Sequence, residues 1–128
     1  MATRANSGTI MNTQDVASEF TSLCRSGKFD EAGRKFWSDD VLSIEPMEGD
    51  MHSLKGRKAV EGKGKWFMDH HQVHSVKVEG PFVNGDEFTL RFEMEVTPEG
   101  KERTTMKEIA LYRVKNGKVA EEKFYFNA

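Results

Sequence analysis

The chain is short of several things, and each shortage excludes a class of protein. Among its 128 residues there is one cysteine, Cys24, so no intramolecular disulfide can form, as expected for a reducing cytoplasm. No charge of one sign dominates: 19 basic and 21 acidic residues give a net charge of -2 and are well mixed. There is no basic stripe for nucleic acid and no acidic tail for a charged partner. No apolar run approaches the length of a membrane span. The segment from Met1 to Ile10 is polar and lacks the apolar stretch of a secretory leader, so a loose arm is expected over 1–11. Interdomain linkers, internal repeats and low-complexity tracts are also missing. The remainder, 12–128, has the size of one domain with a core of its own, needing no disulfide or metal staple.

The first half reads as helical. Asn12 to Asp15 offers a small polar cap with an acid in the first turn. Val16, Phe20, Leu23 and Cys24 then recur at helical spacing, and Gly27 is a natural stop. A second short helix carries Phe29, Ala32 and Phe36 on one face; Trp37 closes it, and Asp39-Asp40 ends the pair. A short strand over 41–45 stops at Pro46, and a loop over 47–54 follows. A third helix begins near Gly56 with Ala59, Val60, Lys63, Trp66, Phe67, His70 and His71 as its inward stripe. Gly62 and Gly64 weaken it, at roughly 1 kcal/mol each.

The second half differs in kind. Turn signals at Asn84-Gly85, Pro98-Glu99-Gly100 and Asn116-Gly117 separate four strand-like runs over 73–83, 87–97, 102–115 and 118–126. Phe88, Leu90, Phe92, Met94 and Val96 alternate with Thr89, Arg91, Glu93 and Glu95, the mark of a strand with one buried face. Helices first and a meander after predict an α+β fold: a curved antiparallel sheet wrapped by three N-terminal helices around a pocket.

Register decides which polar side chains enter the buried face. Symmetric pairing about the Pro98 turn sets Met94 opposite Thr104, Phe92 opposite Met106 and Leu90 opposite Glu108. The last hairpin has two readings. A two-residue Asn116-Gly117 loop pairs Leu111 with Glu122 and separates Glu108 from Glu122. A three-residue loop, Lys115-Asn116-Gly117, pairs Ala110 with Glu122 and Glu108 with Phe124, placing both carboxylates on the apolar face. The second is preferred, because it moves Arg113, Glu121 and Lys123 to the opposite side. Carboxylates on an apolar face must find partners, shift their pKa or line a wet cavity. In the first strand Ser43 and Glu45 share a face, and His70 and His71 continue the Trp66–Phe67 stripe, so carboxylates and imidazoles are expected to meet in one hollow.

This layout resembles the SnoaL-like group of the nuclear transport factor 2 superfamily. The likeness rests on Phe36-Trp37-Ser38-Asp39-Asp40-Val41, Ser43-Ile44-Glu45-Pro46, the Lys55-Gly56 helix start, and Tyr112 to Val119 followed by Glu121-Glu122. It covers residues 13 to 126 in element order. The resemblance implies a cone-shaped fold with a pocket, and a homodimer packed through the sheets. It also implies relatives that include polyketide cyclases, a ketosteroid isomerase, epoxide hydrolases and dehydratases. It puts acids at Glu45 and Glu122 where such enzymes place them. The Asp-Arg-Asp arrangement of epoxide hydrolases and the Tyr/Asp pairing of a ketosteroid isomerase are missing, and fold alone does not confer function.

Two functional readings stay open. In the first, Glu122, Glu108, His71 and Glu45 are the catalytic candidates of an acid–base isomerase, cyclase or hydro-lyase. Its substrate is a small apolar carbonyl or hydroxyl compound that meets Trp37, Trp66, Phe67, His70, Phe92, Met94, Tyr112 and Phe124. In the second, the domain binds a small molecule without catalysis or serves as a dimeric scaffold. The glutamates are then structural ion pairs, the aromatics ordinary core, and His70, His71 and His74 helix caps. In the first reading the histidines supply a general base or, with a pocket glutamate, a ligand set suited to zinc or iron; their spacing matches no established ligand motif, so metal is the minority reading and no cofactor is assigned. Cys24 reads as a small buried hydrophobe. Arg91, Glu93, Ile109 and Leu111 are the candidate dimer surface.

Overall fold

The structure, a computed structural model, describes residues 10–127. Three helices come first: α1 (Thr13–Arg25), α2 (Phe29–Phe36) and, after a strand pair, α3 (Arg57–His70). Six strands complete the fold: β1 (Trp37–Ile44), β2 (Ser53–Lys55), β3 (His71–Asn84), β4 (Glu87–Pro98), β5 (Thr104–Lys115) and β6 (Lys118–Tyr125). They form one curved, open sheet in the order β2-β1-β6-β5-β4-β3. The sheet is mixed, correcting the all-antiparallel expectation, because β1 runs parallel to β6 while every other pair is antiparallel.

Local chemistry sets the helix ends. The Asn12 side chain accepts from the Asp15 N–H at 2.9 Å, the expected N-cap. At the other end Lys28 N–H donates to Leu23 O and Gly27 N–H to Cys24 O, a Schellman closure that needs the left-handed φ of +75° at Gly27. Trp37 caps α2 by donating its N–H to Gly33 O, yet its backbone is already extended. Trp37, Asp39 and Asp40 therefore open β1 instead of ending a helical hairpin. The expected loop over 47–54 includes the start of β2, a three-residue edge strand too short to show an alternation. The arm expected over 1–11 lies mostly outside the described residues. Ile10 and Met11 are described, and they pack against Gly117.

The core fills the space between α1, α2 and the concave face of the sheet. Phe20 lies at its centre, with ring centroids 4.8 Å from Tyr112, 5.9 Å from Phe88 and 6.2 Å from Phe36. The alternation in β4 holds: Phe88, Leu90, Phe92, Met94 and Val96 are all buried. The stripe expected on α3 is mostly absent, since only Val60 is buried there while Ala59 is exposed and Trp66 is 48% exposed.

Both hairpin registers differ from expectation in detail and agree in face. Across β4 and β5, Glu108 pairs with Phe92 and Met94 with Met106, a slip of two residues that leaves every side chain on its expected side. The last hairpin has the two-residue loop, not the three-residue one: Lys115 pairs with Lys118, and Asn116 and Gly117 both take positive φ (52° and 76°). A bulge then follows. Val114 pairs with Val119 but Arg113 pairs with Glu121, so Ala120 is an extra residue. That single insertion flips the rest of β6 and returns Glu122 to the face of Glu108, opposite Tyr112 and not Ala110. The bulge reconciles the tight turn that Asn-Gly prefers with a burial pattern that keeps Glu121 and Lys123 off the core.

Gly62 and Gly64 have ordinary helical φ, and an added Cβ would meet nothing within 4 Å. Gly62→Ala and Gly64→Ala should each stabilise the fold by about 0.5–1 kcal/mol, measured by urea unfolding.

Candidate functional site

Four elements bring charge to one place. Parallel pairing sets Ser43 of β1 beside Glu122 of β6. Two residues on from Ser43, Glu45 shares its side of the chain. Glu108 comes from β5, and Lys63 projects from α3, which packs on β1.

A hydrogen-bonded chain joins all of these groups except Glu108. Lys63 Nζ donates to Glu45 Oε2 at 2.6 Å and to Ser43 Oγ at 2.5 Å. Ser43 Oγ donates onward to Glu122 Oε2 at 2.7 Å, and Trp37 Nε1 donates to Glu122 Oε1 at 3.0 Å. Ser43 and Glu122 are buried, at 0% and 3% exposure. The ammonium of Lys63 also lies 5.0 Å from the Phe124 ring centroid. Burial raises the pKa of Glu122, a shift only partly offset by the Ser43 hydrogen bond, the Lys63 charge and the Trp37 hydrogen bond.

Glu108 is treated differently. Among the described residues neither a hydrogen bond nor an ion pair engages its carboxyl. Burial, with Glu45 and Glu122 nearby and Lys63 opposing, pushes its pKa up to about 7. Tyr112, on β5 like Glu108 and paired with Glu122 of β6, is 3% exposed, its hydroxyl pKa raised first by burial and further by Cys24 and the carboxylates. The Cys24 thiol is pushed up to about 12 by burial and by Glu122, so it is no nucleophile.

The remaining expected residues go elsewhere. His70 and His71 each donate Nδ1–H to a carbonyl four residues back, Trp66 O and Phe67 O, both at 2.8 Å. Their rings stack on Trp66 and Phe67 at centroid distances of 4.7 and 4.0 Å. His74 bonds Thr97 Oγ1 at 2.7 Å. The histidines thus finish α3 and tie down β3, and His71 is not among the groups that shift the glutamates. Phe92 and Met94 are buried, opposite Glu108 and Met106, Phe124 is half-buried at the cluster, and Trp66 faces outward. Among the described residues, no group of three or more His, Cys, Asp or Glu side chains is placed to hold a metal ion. A depression of about 410 Å³ lies where β6 stops pairing with β5, lined by Pro46, Arg91, Lys107, Glu108, Ile109, Tyr125, Phe126 and Asn127. Of the expected pocket residues only Glu108 reaches it.

The sequence placed Lys63 on the inward stripe of α3 and Ser43 on the face of Glu45 without giving either a chemical role, and Trp37 read as a helix end and a pocket wall. A lysine inside an apolar helical stripe was the available signal for Lys63. The indole hydrogen bond had none, because Trp37 and Glu122 lie 85 residues apart.

A profile for the SnoaL-like domain matches residues 11–126. The chain therefore belongs to the SnoaL-like family, whose fold is that of nuclear transport factor 2-like proteins. A candidate SnoaL-like polyketide cyclase from Mesorhizobium loti, also named as a carbohydrate phosphatase, is 46% identical; the match covers 91% of this chain and 100% of that one, with a TM-score of 0.88. A nuclear transport factor 2-like protein of unknown function from Burkholderia pseudomallei shares the fold at 15% identity, 92% of both chains and a TM-score of 0.75. So does a protein of ketosteroid isomerase-like fold from Catenulispora acidiphila, at 14% identity, 91% of this chain, 88% of that one and a TM-score of 0.70. No curated protein matches the chain significantly.

Two predictions follow from the charges. The folded chain holds the Glu108 proton more tightly than the unfolded chain, so stability should fall as pH rises from about 4.5 to about 7. Glu108→Gln should remove roughly 2–3 kcal/mol of that fall, read from urea unfolding across the window. Lys63→Met removes the donor shared by Glu45 and Ser43, and should cost about 3 kcal/mol at pH 8.

Proposed function

We propose that this SnoaL-like domain is an acid–base enzyme, an isomerase, cyclase or hydro-lyase acting on a small apolar carbonyl or hydroxyl compound. The observation that carries the reading is the contrast between the two sheet glutamates. Glu122 has both oxygens engaged, whereas Glu108 has neither and is poised near neutrality. A group with that pKa is matched to give and take protons near neutral pH. In this reading Glu108 moves the substrate proton. The Tyr112 hydroxyl, held in its neutral form, packs behind the cluster opposite Glu122. Lys63 limits the negative charge of the cluster, and Glu122 and Ser43 hold the geometry. His71, a catalytic candidate by sequence, has no part in the scheme because it is not among the groups that act on Glu108 or Glu122. The name of the Mesorhizobium loti relative, a candidate polyketide cyclase, agrees with proton chemistry on a carbonyl substrate.

The alternative, a non-catalytic binding or scaffold domain, draws support from the saturated partners of Glu122 and Glu45. We propose further that a second copy covers the outer sheet face, where Ile109 and Tyr125 are about half exposed beside Arg91 and Glu93. The single, buried Cys24 agrees with a cytoplasmic setting. No helix among the described residues is long and apolar enough to cross a membrane.

The test of the reaction is a panel of small ketones, enones and hydroxy-carbonyl compounds. On any substrate found, kcat/KM should rise through about pH 7 with the ionisation of Glu108. Glu108→Gln should lose about 10²–10⁴-fold, and Glu122→Gln less. Full activity in both variants would end the assignment. For the assembly, size exclusion at low micromolar concentration should give a dimer, and Ile109→Asp a monomer; a wild-type monomer would end that part.

A further inference from the structure

We propose that Gly33 is a positioning residue for the carboxylate cluster: it seats the Trp37 indole whose N–H holds Glu122. This rests on the reading of the cluster as the working site.

Gly33 lies in the interior of α2, where glycine is a poor helix former. Its φ is not left-handed, so the backbone does not demand it. Space does. A Cβ there would sit 2.5 Å from Cζ3, 2.6 Å from Cη2 and 2.7 Å from Cε3 of Trp37, four residues on and therefore on the same side of the helix. The indole cannot step aside without loss. The Trp37 N–H donates to Gly33 O, its carbonyl accepts from the Arg57 guanidinium at 2.7 Å, and its Nε1 donates to Glu122. Arg57 also donates to Arg34 O, so it clamps the end of α2 to the start of β1. Three anchors and one bare helix surface define the place of the ring. The other helical glycines, Gly62 and Gly64, face open space, so this requirement belongs to Gly33 among them.

Moving the ring would strip Glu122 Oε1 of its donor while Oε2 kept Ser43. A buried carboxylate with one donor fewer is destabilised in its ionised form. Gly33 would thus act on the site through Trp37 alone.

The experiment uses the full chain with ¹⁵N-labelled tryptophan and ¹³C-carboxyl glutamate, comparing Gly33→Ala, Trp37→Phe, the double variant and Gly62→Ala. Gly33→Ala should displace the Trp37 indole N–H resonance and raise the Glu122 titration midpoint by about 0.5 pH unit or more. Gly62→Ala should leave both unchanged. In the Trp37→Phe background, Gly33→Ala should shift Glu122 no further. An unmoved indole and Glu122 midpoint in Gly33→Ala, or an undiminished shift without Trp37, would overturn the proposal. If Gly33→Ala alone does not fold, the smaller ring of the double variant should restore folding, and a double variant no more stable than the single one would equally overturn it. Neither readout needs a substrate, so failure of the reaction proposed above would be distinguishable from failure here.

Discussion

The constraint on which the rest depends is the burial of Glu122. A carboxylate taken out of water inside an apolar layer is tolerated only if its oxygens are bonded and its charge is balanced. Here each oxygen has one donor, and both donors belong to β1. That requires β1 to lie beside β6, which in turn requires the parallel pairing that makes the sheet mixed. It requires the Ala120 bulge, which turns Glu122 inward, and a helix close enough for Lys63 to reach Ser43 and Glu45. One buried carboxyl thus ties together a turn, a bulge, a strand crossing and a helix position.

The same economy explains why Glu108 stands apart. Three carboxylates share one ammonium, and the ammonium is taken by Glu45 and Ser43. The last carboxyl is left with a raised pKa as its means of avoiding buried charge. Structural need thereby produces a group suited to proton transfer.

Much of this was legible in the sequence. Helix boundaries followed from Asn12, Gly27 and the spacing of Phe20 and Phe36, and the meander from its turns, because these signals are local. The shared face of Glu108 and Glu122 was reached through a three-residue loop that does not exist. The two-residue loop and the Ala120 bulge give the same parity, and parity is what the burial pattern reports. What local patterns could not reach was long-range: the parallel β1–β6 contact, and with it the bonds from Trp37 and Ser43. The histidine cluster misled, because the spacing that continues a helical stripe is also the spacing that lets Nδ1 bond the carbonyl four residues back.

The chemistry of the cluster therefore turns on the protonation state of Glu108. A ¹³C-carboxyl NMR titration of the wild-type chain measures it directly. Glu108 should titrate near pH 7. A Glu108 midpoint in the ordinary carboxylate range would show that its carboxyl is not held protonated by burial.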